Sequence, residues 1–90
     1  MRFTVTWHPT AEEELAVIWL QASNRASITQ AANTIDQALA IEPLRHGEDF
    51  YGDRILVVLP LAVTYTISQS DLSVQILQVW HQTETGADAE

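Results

Sequence analysis

The sequence predicts a two-layer α+β domain of order β-α-α-β-β-β, with an N-terminal helical hairpin on one face of a mainly antiparallel four-stranded sheet. Three observations carry this expectation. Residues 3–7 alternate apolar and polar side chains, residues 11–41 place apolar side chains at helical spacing with one short break, and residues 54–80 hold three apolar runs parted by turn residues. Consecutive strands joined by short turns pair as an antiparallel meander, and a helical hairpin must cover one sheet face to bury its apolar stripes.

Phe3, Val5 and Trp7 point one way and Arg2, Thr4 and Thr6 the other, as in a half-buried strand. Pro9 stops it, because proline cannot donate to a strand ladder. Thr10 and Glu13 have the spacing of a capping box, and Glu12, Glu13 and Glu14 suit the positive end of a helix dipole. Ala11, Leu15, Ile18, Trp19 and Ala22 then set a helix over about 11–22, with Trp19 expected in the core. Ser23 or Asn24 is available to cap a second helix. Its stripe is Ile28, Ala31, Ala32, Ile35, Ala38 and Leu39, and Pro43 closes it by about 41. Residues 43–53 combine two glycines, a proline and mixed charge and are expected to be loop. Strands follow at about 54–59, 61–68 and 72–80. The last shifts phase from Leu72, Val74 and Ile76 to Leu77 and Val79, which requires a bulge or burial on both faces. The first strand is expected along an edge or beside the last strand. Residues 1–82 thus make a single domain, and the polar, acidic tail 83–90 is expected to fray.

The chain has 90 residues, a net charge of −8 and no lysine; its cations are Arg2, Arg25, Arg45 and Arg54. One core burying about 64% of the extended-chain surface suits this length. Strong nucleic-acid binding through phosphate neutralisation needs clustered Lys and Arg, which are missing. No apolar run approaches the roughly 18 residues of a membrane span, so no membrane association is expected. Absent cysteines exclude disulfides and fit a cytoplasmic setting. His8, His46 and His81 lack metal-ligand spacing, so no metal and no cofactor are expected.

The opening strand with WHP-A-EEEL, the helical hairpin ending at Pro43, and Gly47, Arg54, Pro60, Tyr65 and the run ILQVWH at 76–81 form an ordered set. In that order and spacing the chain resembles the RelE/ParE superfamily of type II toxin–antitoxin toxins (plasmid stabilisation system proteins) over residues 3–81. The resemblance implies a cytoplasmic protein held by a cognate antitoxin. Its RelE-type members cut mRNA on the ribosome, its ParE-like members poison DNA gyrase, and others show no toxicity.

RNA cleavage needs a base, an acid and a cation at the developing phosphorane charge. Ribonuclease members that the chain resembles carry a basic residue where Ala62 stands, another near Gln82, and lysines in a loop matching the acidic 47–52 segment. Only Arg54 and His81 sit where that pattern has them, with Tyr65 and Gln82 as weaker catalytic candidates. Each has a structural alternative. Arg54 can pair with Asp53 or Glu48, or contact a partner; His81 can be an acid–base group or a rim residue; Tyr65 can be core with its hydroxyl tied down. Trp80 can be core or a partner-binding anchor.

The preferred expectation is a ParE-like toxin-fold protein that works by protein–protein contact, with an antitoxin whose binding segment is unusually basic. The alternatives are a ribosome-dependent mRNA endoribonuclease using His81 and Arg54, and a detoxified homologue without catalytic activity. The uncovered sheet face leaves antitoxin or a second copy, as a homodimer, open as its cover.

Overall fold

The computed structural model describes residues 2–50 and 52–82; the acidic tail 83–90 lies outside the described residues. Strand β1 (Thr4–Trp7) leads into α1 (Pro9–Gln21) and α2 (Arg25–Ile41). A 3-10 turn (Pro43–Arg45) then precedes β2 (Glu48–Phe50), β3 (Asp53–Val58), β4 (Leu61–Ser68) and β5 (Ser73–His81). The sheet runs β1-β5-β4-β3-β2, with β1 parallel to β5 and every other pair antiparallel. The expected four-stranded sheet is therefore five-stranded and mixed. The extra strand, β2, lies in the segment expected to be loop. Gly47 at φ 75° and Gly52 at φ 93° turn the chain on either side of it, and Glu48, Asp49 and Phe50 pair with Ile55, Arg54 and Asp53.

Helix α1 begins differently from the capping-box expectation. Pro9 takes the first helical position, where its missing N–H costs nothing, and holds His8 extended at φ −59° and ψ 145°. The His8 Nδ1 accepts from the Thr10 N–H at 3.1 Å, so His8 caps the helix and only Glu12 lies in the first turn. The second helix starts as expected: the Asn24 Oδ1 accepts from the Ser27 N–H at 3.1 Å.

The core joins Ala11 of α1 and Ile28, Ala31, Ile35 and Leu39 of α2 to Leu61, Val63, Tyr65, Val74, Ile76 and Val79 of the sheet. Val5 and Trp7 of β1 and Leu56 and Val58 of β3 pack against it. In β5 the phase shift has a defined cause. Tyr65 pairs with Ile76 while Thr64 pairs with Gln78, which leaves Leu77 as the extra residue of a bulge. The bulge lets Val74, Ile76 and Val79 all reach the helices from a central strand.

Trp19 departs from expectation. It is 39% exposed, donates from Nε1 to the Thr29 Oγ1 at 3.2 Å, and lies under the Arg25 guanidinium at 4.7 Å. The stripe of Ala11, Leu15, Ile18 and Ala22 already fills the sheet-facing side of α1, which turns Trp19 towards α2.

Candidate functional site

Arg54 and Tyr65, paired across β3 and β4, hold the segment after α2 in place. The Arg54 Nη2 donates to the carbonyls of His46 at 3.0 Å, Gly47 at 3.2 Å and Leu44 at 3.5 Å. Its Nη1 meets the Asp49 carboxylate at 3.4 Å. The ion-pair partner is thus Asp49, directly opposite across β2 and β3, and not Asp53 or Glu48. The Tyr65 hydroxyl is buried, 2.7 Å from the His46 carbonyl and 3.2 Å from that of Pro43. Arg54→Ala is expected to cost about 2 kcal/mol, because the carbonyls it serves lose a charged donor; urea unfolding measures it. Arg54→Lys should recover less than half, since an ammonium has no planar fork to span the row.

His81 ends β5 opposite Leu61, exposed, on the same sheet side as Val79. Arg54 lies four residues further along β4 and one strand beyond it, at Tyr65. Strand geometry separates the two Cα atoms by roughly 16 Å, and the guanidinium turns towards the carbonyls of residues 44–47. The structure does not bring these two candidates together. Trp80 and Gln82 lie on the opposite, open face, where the Trp80 Nε1 donates to the Gln82 Oε1 at 3.0 Å. Ala62 is buried beside Trp80, between it and Val57.

That open face is built from alternate positions of each strand: Thr4 and Thr6, Gln75, Gln78 and Trp80, Ala62, Thr64 and Thr66, Ile55 and Val57. None of these side chains ionises. Glu48 and Asp53 flank the face at the β2 edge, and the exposed Arg2 precedes β1 on the side of Thr4 and Thr6. The strand positions of the face themselves offer hydrogen bonds and apolar area but no cation to neutralise a phosphorane.

The other side of the molecule holds a groove of about 840 Å³ between the helices. Trp7, Leu15, Ala16, Trp19, Leu20 and Ala32 form most of its wall. Leu20 is 63% exposed there. Because the helices run antiparallel, Glu12 near the start of α1 lies level with Asp36 late in α2, making one end of the groove acidic. Arg25 sits at the hairpin end, its guanidinium donating to the carbonyls of Trp19 at 3.0 Å and Leu20 at 3.2 Å. The sequence pattern did not single out this groove. Its signal was Trp19 and Leu20 next to each other on a helix whose sheet-facing stripe was already complete.

No family model and no curated protein matches the chain. Solved structures do. The toxin–antitoxin complex RelBE2 from Mycobacterium tuberculosis matches at TM-score 0.77 and 22% identity, over 91% of this chain and 100% of that one. The chromosomal ParDE toxin–antitoxin system from P. aeruginosa matches at 0.62 and 15%, over 91% and 98%. The isolated RelE toxin from E. coli matches at 0.62 and 9%, over 93% and 88%. The chain therefore has the fold of these RelE and ParDE structures.

Proposed function

We propose that the chain is the toxin component, or a toxin-fold homologue, of a type II toxin–antitoxin system, acting by protein–protein contact and neutralised by a cognate antitoxin. The observation that carries this reading is the division of the surface: an open sheet face whose strand positions hold no cation, and an apolar groove with an acidic end. An antitoxin helix with an apolar stripe fits the groove, and its Lys or Arg side chains would lie beside Glu12 and Asp36. Trp80 offers a second anchor on the open face. The role assigned to Arg54 is to position the 43–49 segment from inside.

A second reading, which the resemblance to RelE-type toxins implies, is ribosome-dependent mRNA cleavage through His81 and Arg54. Against it stand their separation, the engaged guanidinium, and a net charge of −8 that repels the ribosomal RNA. Under the preferred reading DNA gyrase is the target to assay first, by supercoiling. Expression of the chain alone is expected to arrest host growth, and co-expression of the adjacent small open reading frame to restore it. Undisturbed growth assigns the chain to a detoxified homologue. Arrest that no neighbouring gene relieves contradicts the toxin–antitoxin reading.

A further inference from the structure

The two helices carry the same short pattern in opposite directions. On α1, Glu12, Ala16 and Leu20 follow one another at four-residue steps; on α2, Asp36, Ala32 and Ile28 do so in reverse chain order. Four-residue steps keep a row on one helix face, and all six residues line the groove between the helices. With the helices antiparallel, acid stands level with acid, alanine with alanine, and Leu20 with Ile28. Each row spans roughly 12 Å of helix. The groove is therefore graded along its length: two carboxylates at one end, a waist of small residues, and an apolar far end.

Trp7, immediately before the His8 that caps α1, lines the groove near its acidic end, and Trp19 lines it near the other. Neither Glu12 nor Asp36 makes an ion pair among the described residues, whose bridges join Arg45 to Glu42 and Arg54 to Asp49. Arg25 sits past the far end, over the Trp19 ring at 4.7 Å and donating to the carbonyls of Trp19 and Leu20. Positive charge is thus missing where the two carboxylates stand level and already present at the opposite end. The volume, about 840 Å³, is that of a small-molecule pocket.

We propose that the groove binds a small organic monocation with an apolar body, an ammonium carrying an aryl or branched alkyl group. The ammonium sits between Glu12 and Asp36, where Trp7 adds an aromatic ring beside it. The apolar body runs past Ala16 and Ala32, whose small side chains leave it room, and ends against Leu20, Ile28 and Trp19. One positive charge fits and two do not, because Arg25 repels a second cation at the far end. An anion is repelled by the two carboxylates, and a neutral molecule forgoes them. The assignment concerns a small ligand on the isolated chain, so it stands or falls separately from the toxin–antitoxin reading.

The test is a titration of the ¹⁵N-labelled chain with phenylbutylammonium, alongside phenylbutanol, phenylbutanoate and butanediamine. The ammonium is expected to bind saturably and to shift the indole N–H signals of Trp7 and Trp19, while that of Trp80, on the open sheet face, stays in place. Phenylbutanol has no charge and butanediamine no apolar body, so each should bind about tenfold more weakly, and phenylbutanoate more weakly still. The double variant Glu12→Gln, Asp36→Asn changes two exposed side chains and should reduce affinity about tenfold. Ala16→Phe, also at an exposed position, fills the waist and should reduce it about as much without altering charge. Any of four results overturns the proposal: no saturable binding of the ammonium, equal binding of any of the three other molecules, a shift at Trp80 as large as those at Trp7 and Trp19, or full affinity in either variant.

Discussion

Replacing Gly47 with valine is expected to destabilise the protein by about 3 kcal/mol, enough to remove a large share of a small domain's stability. Two costs combine. Gly47 has φ 75°, a left-handed conformation that a β-branched residue adopts only with strain of order 1–2 kcal/mol. A Cβ there would also stand 2.5 Å from the Tyr65 hydroxyl oxygen and 2.6 Å from the Ile55 carbonyl oxygen. One contact is backbone in a paired strand, and the other belongs to a buried ring whose hydroxyl already bonds the His46 carbonyl. Relieving the clash therefore breaks the clasp that holds residues 43–47, which adds about another 1 kcal/mol or more. Gly52 is the internal control. It also has positive φ, at 93°, but an added Cβ would meet nothing within 4 Å. Gly52→Ala should cost only about 1 kcal/mol. Urea midpoints of the two variants separate the steric from the backbone contribution.

The second large effect concerns binding. Leu20→Glu is expected to leave stability within about 0.5 kcal/mol, because the side chain is 63% exposed and belongs to no buried cluster. In the groove, however, it would place a carboxylate against the apolar stripe of the proposed antitoxin helix and add to the negative charge of Glu12 and Asp36. Affinity for that proposed partner should fall about 100-fold, close to 2.7 kcal/mol. Ile41→Glu changes a comparably exposed apolar residue, at 55%, outside the groove and should shift affinity less than about threefold. Calorimetric titration of both variants against the product of the adjacent gene measures the contrast.

Much of this architecture is legible in the residues because it depends on local rules. Helical spacing marks both helices, Ser23 or Asn24 is legible as the cap of the second, Pro43 ends it, and the phase shift through Val74, Ile76 and Val79 calls for either a bulge or burial on both faces; the structure has Asn24 and the bulge. Tyr65 reads as a core residue with a tied hydroxyl, and that is its place. What escapes is decided by tertiary contact. Strand β2 is three residues long and carries Glu48 and Asp49, so it has no apolar alternation; it exists because Gly47 and Gly52 fold it against β3. The ion pair of Arg54 with Asp49 follows from that pairing and was equally out of reach. His8 displaces the Thr10 capping box because Pro9 takes the first helical turn.

Glu14 and Trp19 show the same limit from opposite sides. Glu14 suits a helix dipole, yet it falls between Ala11 and Ile18 on the sheet-facing side of α1, and that position carries it to the Val79 N–H. Its place on an apolar stripe was the available signal. Trp19 looks like core by size, yet it lies one step round from the completed stripe and forms the wall of a groove. In both cases the helical angle outweighs residue type. For the candidate site, the absence of cations at Ala62, at Gln82 and in the 47–52 segment is visible in the sequence. The structure extends that deficit to the strand positions of the open sheet face, from Thr4 and Thr6 to Ile55 and Val57.

Contact with protein, and not cleavage of RNA, is the mode of action proposed for this chain. Primer extension on a reporter mRNA after induced expression separates the two. The native chain is expected to leave the extension pattern unchanged, as is His81→Ala. Codon-specific cleavage that appears with the native chain and disappears with His81→Ala would contradict it.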